Sequence, residues 1–572
     1  MLCTQKVKRR AQNKNSFLNV VFSFFIFLPF FISTSIAAPP SIQAPDAGSV
    51  LKQIEQKSNI KSLPPPEQSE INEETPLLKE GEKVKVIEFQ FRNNKIISSE
   101  ELKKHLNKYV GQELTFNELK LAVASISILY KEIGFLAQAT LPAQDITSGV
   151  IQIDILEATF GKTQYLPDNE KPHVNPDRIM NIIYPSSKEN EPLDLNRLER
   201  GILLANDLPG AGAGVQLMAG DKPGTTDIGV KIQNKKRLQG SFIVDNFGSR
   251  LTGRERALFN VSIRSPFGWA DSIGLTSLKT EGTTYVRTSY LLPVGDSGLR
   301  LGVNATYLEY KVVAKEFEAA KVFGYSGGIG ALATYPLYRS RTKNLNAEIS
   351  HDIKKFINKN ISGTQSEYYT RIYTAAFPFD FTDQLMFEGA SNDGRLSLMH
   401  GKNEGLSDSS VEGYFNIAQI NFKRQQFFKN NFGLNFTMIA QKTDHNLDSS
   451  QKIYLGGPNG VRAYPTSEAG GSEGYQYSLE LQKFLPNNLT LSGFYDEGYV
   501  RQLNEGAPTV GPNSYRLKGY GISLHWDGPM QTSFDATWAR RDGSNPNKTP
   551  SGMDQSGKLI EDVFWLKAAV NF

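Results

Sequence analysis

Leu299-Arg300-Leu301-Gly302-Val303-Asn304-Ala305-Thr306-Tyr307 decides the fold. Leu299, Leu301, Val303, Ala305 and Tyr307 fall on one face, and Arg300, Gly302, Asn304 and Thr306 on the other. That is the period of a strand with one apolar side. Residues 489–496 repeat the pattern, with Leu489, Leu491, Gly493 and Tyr495 opposed to Thr490, Ser492, Phe494 and Asp496. From about Lys236 onward such segments succeed one another without a helical stretch between them. A soluble sandwich alternates in the same way, so the connections must separate the two architectures.

The connections come in two kinds. Short turns, mostly carrying Pro or Asn, fall at 265–272, 292–298, 335–344, 377–384, 425–431, 484–488 and 527–532. Between them lie longer, charged or glycine-rich stretches at 308–321, 354–364, 442–474 and 541–560. Short turns on one side and long loops on the other are the wiring of an outer-membrane barrel. Seven short turns join fourteen strands, and the terminal strands bring the expectation to sixteen antiparallel strands over 237–572. Those residues leave about 21 per strand and connection, enough for a transmembrane strand of ~9–11. The chain ends with Phe564, Leu566, Ala568, Val570 and Phe572 on one face. An aromatic-terminated strand of this kind resembles the last strand of outer-membrane barrels.

The rest of the chain reads differently. Lys6, Lys8, Arg9, Arg10 and Lys14 precede an apolar run from Phe17 to Ile32 and the small residues Ser35, Ala37 and Ala38. This predicts a signal peptide over 1–38, the run being shorter than the ~20 residues of a spanning helix. The whole chain carries 63 basic and 59 acidic residues, so without those five cations 58 face 59. A basic nucleic-acid footprint is thereby excluded. Residues 39–82 are polar and proline-rich, with a short helix expected near 46–56 whose Val50, Leu51 and Ile54 share a side. A disordered leader is the alternative there. Two small α+β modules follow, over 83–161 and 162–236. In the first, alternation at Ile87, Phe89 and Phe91 gives a strand, and Ser98/Glu101 and Thr115/Glu118 are capping boxes opening two helices. Strands around 135–141 and 150–157 complete it. The second has caps at Asn175 and Asp194 and strands near 215–218 and 227–232.

Chemistry-bearing patterns are sparse. The single cysteine, Cys3, falls in the signal, and the six histidines include no i,i+3 or i,i+4 pair, so neither a thiolate nor a zinc site is expected. Gly470-Gly471-Ser472-Glu473-Gly474 and Gly324-Tyr325-Ser326-Gly327-Gly328 fit G-x-S-x-G but lack the strand-to-helix elbow a nucleophile needs. Gly210-x-Gly212-x-Gly214 leads into a strand and offers no helix N-terminus to a phosphate. No enzyme activity and no cofactor are expected. The longest connection holds Val461-Arg462-Ala463-Tyr464 behind Leu455-Gly456-Gly457-Pro458-Asn459-Gly460, and the next strand offers Phe494, Asp496 and Gly498. Arg462 is either an ordinary loop arginine or the partner of a lumen-facing Asp496.

Here the sequence resembles the transporters of two-partner secretion, which share a superfamily with the barrel-assembly proteins of the outer membrane. Val461-Arg462-Ala463-Tyr464 is similar to that family's Val-Arg-Gly-Tyr/Phe loop motif, and Phe494-x-Asp496-x-Gly498 to its strand motif. Asp245-Asn246-Phe247-Gly248-Ser249 with Thr252-Gly253 fits its first hairpin, and Leu141-Pro142-Ala143-Gln144-Asp145-Ile146 its first POTRA module. Ala463 departs from the usual glycine and puts in doubt a left-handed backbone there. The resemblance implies an Arg462–Asp496 lock, a resting plug made by the 46–56 helix, and periplasmic POTRA domains that bind a large secreted partner. It implies a monomer seated in outer-membrane lipid that exports the partner; a barrel-insertion factor is the alternative, while a diffusion porin leaves the POTRA modules unexplained. Whether the cargo is an adhesin, a cytolysin or an iron scavenger stays open.

Overall fold

The computed structural model describes residues 44–55, 83–168, 170–184, 191–506, 508, 511–549, 551–554 and 556–572. The expected signal over 1–38 and the proline-rich stretch 57–82 lie outside the described residues. Helix α1 spans Ala47–Glu55.

The first module comprises β1 (Lys83–Lys85), β2 (Glu88–Arg92), α2 (Ser99–Leu106), β3 (Glu113–Thr115), α3 (Phe116–Glu132), β4 (Ala137–Thr140) and β5 (Val150–Glu157). Both expected capping boxes form: Ser98 Oγ accepts from Glu101 N–H at 3.3 Å and Thr115 Oγ1 from Glu118 N–H at 3.3 Å. Hydrogen bonds from Thr115 hold the Glu118 carboxylate below its usual range. The box therefore stabilises α3 at neutral pH and loses that contribution as pH falls through the lowered pKa. The sheet order is β2-β5-β4, and β1 and β3 add a two-strand ladder that the sequence reading lacks. Phe89, Ile151, Ile153 and Ile155 from the sheet pack on Leu102, Leu119, Val123, Ile126 and Tyr130 from the helices. Gln144 of the Leu-Pro-Ala-Gln-Asp stretch stands in for a strand residue. Its amide donates to Gln152 O at 2.6 Å and accepts from Gln152 N–H at 2.7 Å, extending the sheet after the main chain has left it.

In the second module, β6 (Thr159–Tyr165), α4 (Pro176–Ile183), α5 (Leu195–Asn206), β7 (Ala211–Ala219) and β8 (Thr225–Asn234) form a sheet of order β6-β8-β7. Thr159 and Phe160 already pair with β8, so the division between the modules falls at Ala158 instead of after 161. Ala158 is itself tied down, donating to Leu136 O at 2.8 Å and accepting from Leu193 N–H at 3.0 Å. Single bridges at Phe135–Asp194 and Thr159–Pro192 cross the same joint.

Then come β9 (Leu238–Asp245), β10 (Arg256–Arg264), β11 (Ser272–Lys279), β12 (Thr283–Val294), β13 (Leu299–Lys311), β14 (Phe323–Arg339), β15 (Lys343–Asn360), β16 (Gly363–Asp383), β17 (Ala390–Glu404), β18 (Gly413–Phe428) and β19 (Phe432–Thr443). A loop with the two-residue strands β20 (Ile453–Tyr454) and β21 (Gly470–Gly471) leads to β22 (Glu473–Leu485), β23 (Leu489–Arg501), β24 (Ser514–Asp527), β25 (Thr532–Arg541) and β26 (Asp562–Asn571). Among the described residues, sixteen of these strands, all but β20 and β21, close an antiparallel barrel in which β26 returns to β9. Closure pairs every strand and leaves no edge in lipid. Leu301, Val303, Tyr307, Phe564, Leu566, Val570 and Phe572 are exposed on the outer wall, as their parity predicts.

All seven short turns are present, but six of the expected ranges begin inside strands. Pro293 and Pro336, read as turn residues, lie near the paired ends of β12 and β14, and Pro378 lies five pairs before the end of β16. The stretch 354–364 is not a long loop. β15 and β16 run to 18 and 21 residues and meet in a turn of Ile361 and Ser362. Gly363 takes φ 111°, and Asn360 Oδ1 accepts from Ser362 N–H at 2.8 Å. The polar residues that suggested a loop divide by face: Lys354 and Asn358 turn inward to Glu55 and Ala47 of α1, and Lys355 pairs with Glu367 on the outer face.

The second module sits against the turns at the strand ends. Arg339 makes a two-pronged contact with Asp207, 2.8 Å on each arm, and Arg300 donates to Asp207 O at 3.1 Å. Arg200 donates to Pro336 O at 2.8 Å, Arg341 pairs with Glu199 at 2.6 Å, and Ser265 donates to His173 O at 3.1 Å.

Candidate functional site in the lumen

The connection between β19 and β22 turns back into the barrel. Gly457, at φ 108°, allows the reversal, and Gly460 is required by crowding, since a Cβ there would lie 2.0 Å from Leu455 O. Val461 N–H then donates to Leu455 O at 2.7 Å and Tyr464 N–H to Val461 O at 3.1 Å, closing a compact loop tip. Its apolar side chains Leu455, Val461, Ala463 and Tyr464 are buried against Phe494, Val500, Tyr515, Leu517 and Ala539 of the wall.

That packing aims Arg462 at β22 and β23. Its Nε and Nη2 donate to the two oxygens of Asp496 at 2.9 and 2.8 Å, and its backbone N–H reaches Asp496 Oδ2 at 3.0 Å. Nη1 donates to Glu480 at 2.9 Å and Nη2 also to Ser478 Oγ at 2.8 Å. The guanidinium lies 3.3 Å over the centre of the Phe494 ring. Asp496 is fully buried. Each residue of Phe494-x-Asp496-x-Gly498 thus has a separate task. Phe494 stacks, Asp496 accepts, and Gly498 makes room, because a Cβ there would press on Leu455 and Val461 at 3.0–3.2 Å. Such two-pronged, charge-assisted bonds in a desolvated setting are among the strong ones. The doubt over Ala463 resolves through packing. The left-handed residues of the loop are Gly457, Ser467 and Ala469, whereas Ala463 is buried with its methyl toward Gly519, where a Cβ would lie 2.4 Å away.

The first-hairpin residues surround the same loop. Asp245 holds Arg256 through two bonds of 2.7 and 2.9 Å. Phe247 sits between Arg256 and the edge of Trp565, its carbonyl accepts from Thr466 Oγ1 at 2.8 Å, and Trp565 Nε1 donates to Arg462 O at 2.8 Å. Asn246 seals the barrel. Its amide donates to Phe564 O and accepts from Leu566 N–H, both at 2.9 Å, extending a β9–β26 seam of five residue pairs. A Cβ on Gly248 would meet Gly253 O at 2.1 Å, and Gly253 takes φ 105°. Thr252 O accepts from Gly282 N–H at 2.9 Å.

Sequence reasoning missed three parts. Glu480 is a second acceptor for Arg462, marked by nothing but a lumen-facing parity. Arg541 pairs with Asp554 and lies 4.4 Å over the Tyr464 ring, while Asn545 links Asp554 to Glu468, fastening the loop after β25 to the lumen loop. The third is the set of wall and loop residues that receive α1, a helix the sequence does predict. Ala47, Val50 and Leu51 pack on Leu278, Tyr285, Leu308, Tyr310, Phe356 and Tyr368 of the inner wall. Asp46 accepts from Ser49 N–H and from Ser449 Oγ of the lumen loop, both at 2.7 Å, Ala47 N–H donates to Asn358 at 2.8 Å, and Glu55 pairs with Lys354 at 2.6 Å. Gly48 lets the loop approach, since its Cβ would lie 2.4 Å from Ser449 Oγ. Beside α1 a cavity of about 320 Å³ remains, lined by Lys52, Glu55, Arg287, Asp352, Lys354 and Gln419 among others.

This geometry has known counterparts. Residues 224–525 match the family model for haemolysin secretion/activation proteins ShlB/FhaC/HecB, and residues 84–158 the POTRA domain of ShlB type. The heme/hemopexin transporter protein HuxB of Haemophilus influenzae is 28% identical over 530 residues, covering 87% of this chain and 91% of HuxB. The hemolysin transporter protein HpmB of Proteus mirabilis is 22% identical over 369 residues, covering 61% and 62%. In fold, the chain is similar to CdiB from Escherichia coli, with a TM-score of 0.67 at 16% identity over 92% of this chain and 96% of that one. BamA from Haemophilus ducreyi lacking POTRA domains 1–3 follows at TM-score 0.54 and 14% identity, covering 86% and 100%. The chain belongs to the ShlB/FhaC/HecB family of haemolysin secretion/activation proteins, outer-membrane barrels with periplasmic POTRA domains that export a partner protein by two-partner secretion.

Proposed function

We propose that this transporter, acting as a monomer, captures one large exoprotein in the periplasm by adding a strand of it to β7, and passes it outward as an extended chain. The observation that carries this reading is the outer edge of β7. Ala213 exchanges two hydrogen bonds with the Asn206 amide, at 3.0 and 2.8 Å, so odd-numbered residues of β7 direct their backbone groups away from β8. Past the reach of Asn206, Val215, Leu217 and Ala219 have no backbone partner on that side among the described residues. The strand reads Ala-Gly-Ala-Gly-Val-Gln-Leu-Met-Ala, without the charge or proline that ordinarily protects an edge. The neighbouring candidates are covered: Ser127 Oγ takes Ala139 N–H on β4 at 3.1 Å, and Glu191 O takes Phe160 N–H on β6 at 2.8 Å. An open edge gives affinity through backbone bonds and choice through side chains.

Leu217→Pro removes one outward N–H and blocks pairing there. Loss of one or two backbone bonds worth ~1 kcal/mol each lowers partner affinity by about tenfold. Titration of the partner's N-terminal domain against full-length transporter measures it; unchanged affinity would place capture elsewhere. In the resting state α1 fills part of the lumen and leaves before export, while Arg462 and Asp496 keep the lumen loop docked. The names of the relatives supply two cargoes to test first, a haemolysin and a haem- or haemopexin-binding exoprotein. Two POTRA modules and a lumen-bound helix favour export over barrel insertion.

A further inference from the structure

At the periplasmic end of β16–β18 the outer wall carries residues a lipid face should not have. Odd residues of β16 and even residues of β17 and β18 face outward, as exposed Tyr373, Phe377, Leu396, Leu398 and Tyr414 demonstrate. The same parity puts Asp383, Asn392, Arg424 and Gln426 on the outside. Asp383 accepts from Arg424 Nη1 at 2.8 Å and from Asn392 Nδ2 at 2.7 Å. Asn392 and Gln426 are nevertheless buried.

Their cover is the turn 384–389. Gln426 Nε2 donates to Met386 O and Gly389 O at 2.8 and 2.9 Å, Phe427 N–H to Gly389 O at 3.0 Å, and Leu385 N–H to Asp383 at 3.2 Å. These bonds fold the turn back over the outer wall, not toward the pore. Its free side presents Leu385, Met386 and Phe387 at 84, 55 and 69% exposure. Three consecutive large apolar residues so exposed contradict a water-facing turn. Phe387 also takes φ 54°, a region bulky residues avoid, with its ring 4.8 Å from that of Phe428.

The patch continues the lipid-facing column Phe377, Phe379 and Phe381. Ten residues separate Tyr373 from Asp383, and at ~3.4 Å each with a ~40° tilt they span about 26 Å, the height of the apolar band. The turn therefore lies at the inner boundary of that band, next along the rim from the turns that the second POTRA module contacts. We infer that Leu385, Met386 and Phe387 form an anchor embedded in the periplasmic leaflet, with phospholipid acyl chains as its partner. The same turn screens the Asp383–Arg424 pair from lipid.

The test is site-directed spin labelling of the full-length chain in phosphatidylethanolamine/phosphatidylglycerol vesicles. Leu385→Cys and Phe387→Cys are labelled separately in a Cys3→Ser background, and collision with molecular oxygen is compared with collision with a nickel chelate. Ile349→Cys on the outer wall serves as the lipid reference and Ile361→Cys at the β15–β16 tip as the water reference. Both turn labels should match Ile349, favouring oxygen. Nickel access equal to that at Ile361 overturns the anchor. So does a label that is water-exposed alone and protected only when partner is bound, which would assign the turn to the exported chain.

Discussion

Arg462→Ala should abolish appearance of the partner outside the cell while the barrel remains inserted. The side chain removed is the shared donor for Asp496, fully buried, and for Glu480. Its loss leaves two carboxylates facing each other without a cation. Breaking a buried pair from one side costs ~3–5 kcal/mol. At ~1.4 kcal/mol per factor of ten, that shifts the docked loop by more than about a hundredfold toward release. The barrel wall itself survives, because its strands are joined by ladder bonds that do not involve Arg462. Extracellular partner, measured beside heat-modifiable barrel in the outer membrane, checks the expectation. Arg462→Lys should fall between, keeping the charge but losing the fork that spans both oxygens of Asp496. Wild-type export by the alanine variant would remove the docked loop from the mechanism.

Deleting 46–55 should have the second large effect, a several-fold rise in single-channel conductance in planar bilayers. A nine-residue helix is ~13 Å long and, with its side chains, ~10 Å wide, a large share of a sixteen-strand lumen. It is held by an apolar stripe of Ala47, Val50 and Leu51 and by polar contacts at both ends, so its occupancy is a matter of a few contacts and not of covalent closure. Leu51→Asp sets a carboxylate against Leu278 and Leu308 and should raise the open fraction without any deletion. Conductance unchanged in both variants would mean that α1 does not limit the pore.

How much of this was legible depended on the distance over which each feature is encoded. Alternation at 299–307 and 489–496 is local, so the barrel, its outward face and its seven short turns could be read residue by residue. Capping boxes at Ser98 and Thr115 are local as well, and both form. Pairing of Arg462 with Asp496 was readable as a possibility from parity and became an expectation only through the resemblance. Glu480, Arg541–Asp554 and the wall that receives α1 were not legible, because each contact joins segments whose approach is set by closure of the barrel. The misread stretch 354–364 shows the limit of composition: its lysines and asparagines are answered across strands and by α1, through Lys355 with Glu367, Lys354 with Glu55 and Asn358 with Ala47, and none of these partners is near in sequence.

One consequence of the POTRA joint is mechanical. Ala158, bonded on both sides, is all that separates β5 from β6, and two bridges stiffen the crossing. Below the rim the second module is bolted through Asp207, Glu199 and Arg200. The two modules therefore act as a lever rather than as beads on a tether, and a tug on the outer module arrives at the rim turns as torque instead of being absorbed by slack. A spin-label pair on α2 and β14 should give one narrow distance distribution in the resting transporter, while a broad one would return the modules to a flexible string.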